Sequence, residues 1–204
     1  MKFHIIADEL CLDFINTLDN RPVPERLREL LGSYEDLADW AVQAGAIHGP
    51  LRAALIRQAK AQPEKARAAL RRAIALRETL YRIVGGRLAK RPLAETDLLA
   101  FSAALSEALS HLQLRATRKG FRLVWAEAPV SLEVILWPIA GSAGQLLTSD
   151  DLGRVRECGG KTCRWMFVDR SKNHSRRWCD MKVCGNRTKA RKFYRRRKAN
   201  IDPH

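Results

Sequence analysis

The chain has 204 residues, 46% of them hydrophobic and 29% charged. That is room for one domain plus a small appendage around a packed core, and it excludes wholesale disorder. No apolar run reaches the ~18 residues of a membrane span, and the opening Met1 to Glu9 turns acidic too early for a secretory leader, so a cytoplasmic location is expected. Charge divides the chain. Residues 1–152 carry 20 Lys and Arg against 18 Asp and Glu, whereas residues 153–204 carry 17 against 4, which places nearly all of the net +15 in the last quarter. The expectation is a unit over 1–152 and a smaller one over 153–204, the second suited to a polyanion: nucleic acid first, an anionic membrane surface second.

The first unit reads as mainly helical. Leu10, Phe14 and Leu18 recur at four-residue spacing with Cys11 and Ile15 beside them, a helix closed by Pro22 and Pro24. Ser33 precedes Asp36 at a capping spacing, and Leu37, Trp40, Ala41 and Ala44 form a stripe ended by Gly45. A third helix is predicted from Pro50 to Ala61. Pro63 then opens a long fourth one, with Leu70, Ile74, Tyr81, Val84 and Leu88 inward and Gly85-Gly86 loosening its end. A fifth runs from Thr96 to about His111 through Leu98, Phe101, Leu105 and Leu109.

The period then changes. Leu112 to Thr117 and Phe121 to Trp125 alternate around Arg118-Lys119-Gly120, which predicts a hairpin. Ser131 to Leu147 is apolar enough for a buried helix that Pro138 and Gly141 would kink. With no long linker after it, the C-terminal unit is expected to pack against the helices. Asp13, Asn16 and Thr17 are polar groups within an apolar helix. They read either as backbone caps or, with Trp137, as the lining of a small-molecule pocket. The chain holds no G-x-S-x-G, Walker A, H-E-x-x-H or G-x-G-x-x-G motif, so no catalytic residue is assigned.

The C-terminal unit carries four of the five cysteines. Cys158, Cys163, Cys179 and Cys184 read C-x4-C, fifteen residues, C-x4-C, a spacing that suits four thiolates on one tetrahedral structural Zn²⁺. Disulfides are disfavoured in a reducing compartment, and an iron–sulfur cluster is the further rival. His174 lies in the intervening loop as a substitute ligand, and Cys11 as a small core residue. The four thiolates and the ion together add about −2, so the unit remains strongly basic. Arg154 to Cys158 reads as extended, Arg164 to Asp169 as a strand and Arg176 to Cys179 as its returning partner. Met181 to about Lys198 reads as a helix, giving a treble-clef-like finger. Arg187, Arg191, Tyr194 and Arg195 share a face of that helix, flanked by Lys189, Lys192 and Arg196. With Arg164, Lys172, Arg176, Arg177, Lys182 and Asn186, these are the candidate nucleic-acid contacts.

Cys184-Gly185-Asn186-Arg187, set among Arg154-Val155-Arg156-Glu157-Cys158 and Ser175-Arg176-Arg177-Trp178-Cys179, resembles the signature of the CGNR zinc-finger family. Leu12-Asp13-Phe14-Ile15-Asn16-Thr17 resembles the motif of the ABATE domain that accompanies this finger in bacteria. The resemblance implies a stress-induced transcription regulator whose finger binds DNA. In that setting Asn186 bonds nearby backbone or reads a base edge, the structural role being favoured. The overall expectation is a mainly α fold with a small β-hairpin (α+β), one zinc ion, DNA as partner and the helical unit as a sensor. The rivals are an RNA-binding or ribosome-associated module and, weakest, an enzyme built on the helical unit.

Overall fold

In the computed structural model, residues 3–126 and 131–201 are described, apart from the side chains of Arg195, Arg196 and residues 198–201. Helix α1 (Leu10–Ile15) is shorter than its apolar spacing predicts. The Thr17 hydroxyl donates to the Phe14 carbonyl at 2.7 Å, and Asn16 turns to partners far along the chain. Leu18–Asp19 instead forms β1, antiparallel to β2 (Arg28–Glu29).

Helix α2 (Tyr34–Gln43) starts where Ser33 accepts from the Asp36 N–H at 3.1 Å. Helix α3 (Gly49–Ala61) starts at a cap the sequence reading did not assign, His48 Nδ1 accepting from Leu51 N–H. Helix α4 (Pro63–Leu88) runs straight through Gly85-Gly86. A Cβ on Gly86 would lie 2.6 Å from Leu93, so this glycine serves a close approach by the following loop. The buried row of α4 is Ala69, Ala73, Leu76, Leu80 and Ile83, with Ile74 and Tyr81 only half-buried. Helix α5 (Glu95–Ser110) buries Phe101 and Ala108 and leaves Leu98 and Leu109 exposed, because it lies on α4 and α6 through the former pair.

The predicted hairpin forms as β3 (Leu112–Thr117) and β4 (Gly120–Trp125), with Gly120 at φ +127°, a backbone that side-chain-bearing residues rarely adopt. Helix α6 (Leu136–Thr148) begins five residues later than the hydrophobic run suggests. Pro138 therefore falls in its first turn, where a missing N–H breaks no bond, and causes no kink. Cβ atoms on Gly141 and Gly144 would meet Trp125 at 2.8 Å and Leu105 at 3.1 Å. These small residues let the root of the hairpin and α5 close onto α6.

Strands β5 (Val155–Glu157) and β6 (Met166–Val168) pair antiparallel, and α7 (Asn186–Ile201) ends the described chain. Arg176 to Cys179 does not return as a strand. Both edges of β6 are already taken, one by β5 and the other by the N-terminal unit, so this stretch crosses the first knuckle through a single backbone bond, Gly159 N–H to Arg177 O at 3.0 Å. One apolar cluster extends from α1, α2, α4 and α6 into β6, with the Phe14 and Trp40 rings 5.1 Å apart. A buried arginine also sits within the fold: Arg77 donates to both carboxylate oxygens of Glu29 (2.7 and 2.6 Å), to Glu78 and to Thr17. Among the described residues no helix is long and apolar enough to cross a membrane.

Candidate metal centre and nucleic-acid interface

The first knuckle grows out of the β5–β6 hairpin. Cys158 N–H donates to Trp165 O at 2.8 Å, and Cys163 N–H to Gly160 O at 3.2 Å, folding Cys158–Cys163 into a tight loop. The left-handed position that closes the loop belongs to Arg164 (φ +61°). Gly160 is needed for proximity: a Cβ there would sit 3.2 Å from Cys163 Cβ and 3.5 and 3.6 Å from the sulfurs of Cys158 and Cys184. The second half is built by Asp180. Its side chain accepts from Lys182 and Val183 N–H, and its carbonyl from Cys184 and Gly185 N–H. That fixes a wide π-type turn, Met181–Gly185, which delivers Cys184 and leads into α7. Gly185 faces Met181 and the Trp178 ring, 3.3 Å from an added Cβ.

The four cysteine sulfurs are buried and lie within 4.8 Å of one another, with Cys163–Cys179 and Cys179–Cys184 at 3.6 Å and no disulfide. A tetrahedron with Zn–S near 2.3 Å has edges of about 3.8 Å, so the set fits one structural Zn²⁺. Charge argues the same way. Hydrogen bonds from the Cys163 and Cys179 thiols hold Cys158 far below the usual thiol range, and those bonds push Cys163 and Cys179 up. Burial raises Cys184. Four thiolates together need a cation between them. His174 stands apart, its Nδ1 3.4 Å from Asp169 O. Cys11 is in the core, where burial pushes its thiol up to about 12.

The finger is bolted to the helical unit. The Asn16 amide donates to Met166 O (2.8 Å) and accepts from Met166 N–H (2.9 Å), pairing with β6 as a strand residue would. Val168 N–H donates to Ala7 O. Asp13 accepts from Ile6 and Ala7 N–H at 2.8 and 3.0 Å, holding that segment in place. Thr17 binds Phe14 O and accepts from Arg77. Trp137 lines a separate cavity of about 520 Å³ with Arg72, Glu107 and Glu133, in which Asp13, Asn16 and Thr17 take no part.

The basic residues divide by position. Arg176 is held inside the seam: it pairs with Asp8 at 2.9 Å, donates to the carbonyls of Ile6, Trp178 and Cys179, and stacks 4.3 Å from the Phe167 ring centre. Arg164 pairs with Glu157 at 2.8 Å. Lys172, Arg177, Lys182, Asn186, Arg187, Lys189, Arg191 and Lys192 are exposed, Arg177 lying over Trp178. None of the α7 cations has an acid partner among the described residues. The side chains of Arg195 and Arg196 lie outside the described residues. The sequence reading missed the cap at Asp180 and the buried Asp169, which accepts from Ser171 and Arg176 N–H. An Asp directly after Cys179, ahead of a predicted helix, was the available signal for the cap.

Residues 154–197 match the model of the CGNR zinc finger. Residues 8–150 match the ABATE model, described as "Putative stress-induced transcription regulator". Neither description names an enzyme. No curated protein matches the chain. With most of its length covered, and with a four-cysteine centre where the finger model falls, the chain belongs to the ABATE family and carries a CGNR zinc finger.

Proposed function

We propose that this protein is a DNA-binding transcription regulator of the bacterial cytoplasm, in which zinc holds α7 ready for the phosphate backbone and the helical unit answers a small molecule. The observation that carries the reading is α7 itself. It has 16 residues, no acid, and side chains exposed from Lys189 through Tyr194. Like charges at i,i+4, such as Arg187 and Arg191, repel in an isolated helix, and a phosphate backbone relieves that repulsion. Arg187, Lys189, Arg191 and Lys192 supply the backbone contacts, with Lys172, Arg177 and Lys182 beside them. Asn186, exposed at the start of the helix, is free to reach a base edge. Arg164 and Arg176 contribute less, being already bound.

RNA is the rival partner. Exposed aromatics on the finger's hairpin would favour it; Trp165 and Phe167 are buried, and Trp178 is half-buried under Arg177. A sensing role is best served at the seam. A cavity of about 690 Å³ there is lined by Tyr81, Arg91 and Leu93 of the helical unit and by Arg156, Arg164 and Met166 of the finger, so a ligand would touch both units. The test is binding of zinc-loaded protein to random duplex DNA and to structured RNA, each across a salt series, beside a chelated sample. Tighter, zinc-dependent duplex binding is expected. A clear preference for RNA contradicts the transcription reading.

A further inference from the structure

Four arginines and two acids line the cavity of about 690 Å³ at the seam. Two of the arginines neutralise the two acids. Arg82 donates to Asp97 through Nε and Nη2 at 3.0 and 2.7 Å, and Arg164 pairs with Glu157 at 2.8 Å. Arg91 and Arg156 have no acid partner among the described residues. Arg156 Nη1 donates to the Gly153 and Val155 carbonyls at 2.8 and 2.9 Å, neutral partners that hold the guanidinium without cancelling its charge. Arg91 is placed by its backbone, whose N–H donates to Gly86 O at 2.9 Å and folds the loop after α4 back onto that helix. The lining is therefore left with an excess of two positive charges. Much of the remaining wall is apolar: Ile83, Val155 and Met166 are buried and Leu93 is half-buried. A Cβ on Gly85 would lie 3.5 Å from the Met166 methyl, so α4 and the finger's β6 meet there.

We propose that this cavity takes an organic acid anion, an aryl or branched-chain carboxylate. Arg91 and Arg156 draw its carboxylate, and Ile83, Leu93, Val155 and Met166 receive its apolar body. The inference rests on the sensing role proposed for the seam and names the class of molecule sensed. An amine of the same shape is repelled by the two unpaired charges, and a neutral molecule leaves them unused. A phosphodiester has no apolar body to place against the wall. Arg91 belongs to the helical unit and Arg156 to the finger, so one bound anion spans both.

Methyl NMR of the zinc-loaded full chain, labelled at the methionine methyls, tests this. Met166 reports on the cavity, and Met181, beside the metal centre and outside the lining, is the control. The probes are 1-naphthoate and the amine and alcohol of the same ring, 1-naphthylmethylamine and 1-naphthalenemethanol, with inorganic phosphate alongside. The expected result is a saturable shift of Met166 by naphthoate with Met181 unmoved, the amine and alcohol binding about tenfold more weakly or not at all. Arg91→Gln with Arg156→Gln should weaken naphthoate by about tenfold while zinc content and the Met166 signal of the free protein hold. No saturable shift with naphthoate overturns the proposal, as does equal binding of the amine or of phosphate, or a double variant that binds as the wild type does. Duplex binding with and without each probe separates this from the sensing role. Naphthoate that binds at Met166 and leaves duplex affinity unchanged keeps the ligand class and removes the sensor. A duplex affinity that answers only the amine or the alcohol keeps the sensor and overturns the anion.

Discussion

Asp13 shows how much one buried carboxyl can govern. Burial raises its pKa to about 6 against the N–H groups of Ile6 and Ala7, which hold it down, with Asp8 and Arg176 making smaller opposed contributions. The folded state thus tolerates the carboxylate less well than the unfolded chain does. Below pH ~4 the group is protonated in both states and carries no penalty. As pH rises from about 4 to about 6, stability falls by up to about 3 kcal/mol on its account, and stays lower above that. Asp13→Asn keeps an acceptor for the two N–H groups and removes the charge. Denaturant unfolding of both proteins at a series of pH values should show the variant gaining on the wild type across that window, with no further change above it; a pH-independent difference contradicts the assignment. The spacing put Asp13, Asn16 and Thr17 on one helix, but α1 ends at Ile15, so only Asp13 lies within it while Asn16 caps it and Thr17 follows. What they bind was not legible, since Met166 lies 150 positions from Asn16. Arg77 was similarly hidden: its only trace in the sequence is a charge set between Leu76 and Leu80 in an inward row, and its acid partner Glu29 arrives through the short β1–β2 ladder.

Between elements, the decisive contact is that of α1 with β6. Asn16→Ala would leave the Met166 N–H and C=O unpaired in a buried seam, at a cost of about 2–4 kcal/mol. Because the zinc ligands lie elsewhere, metal content should be retained. Hydrogen exchange should quicken at Met166–Val168 well before it does in α4; uniform protection across both would show that Asn16 does not hold the finger. The cysteine spacing made the metal centre legible, because four ligands must converge whatever surrounds them. The return of Arg176 to Cys179 as a strand was misread. Its aromatic and basic pattern suits a strand, but the edge it would need is occupied by Ala7 and Asn16, which local sequence cannot reveal. Helix α4 was placed well: Val84 is buried as expected, while Leu70, Ile74, Tyr81 and Leu88 are only half-buried, because Ala69 and Ala73 line the tighter contact with its neighbours.

At the scale of the whole molecule, a nearly neutral helical body carries a basic finger by a hydrogen-bonded and apolar seam. The seam leaves α7 with no acid partner for its cations among the described residues, while Arg176 is drawn into the seam and Arg164 pairs with Glu157. The central claim, that α7 is the nucleic-acid surface, is tested most directly by the salt dependence of duplex binding for the wild type and for Arg187→Ala with Arg191→Ala, zinc content being checked in both. Each lost phosphate contact lowers the slope of log affinity against log salt by ~0.9. The account predicts weaker binding and a slope shallower by about 2 with zinc unchanged. An unaltered affinity and slope would contradict it.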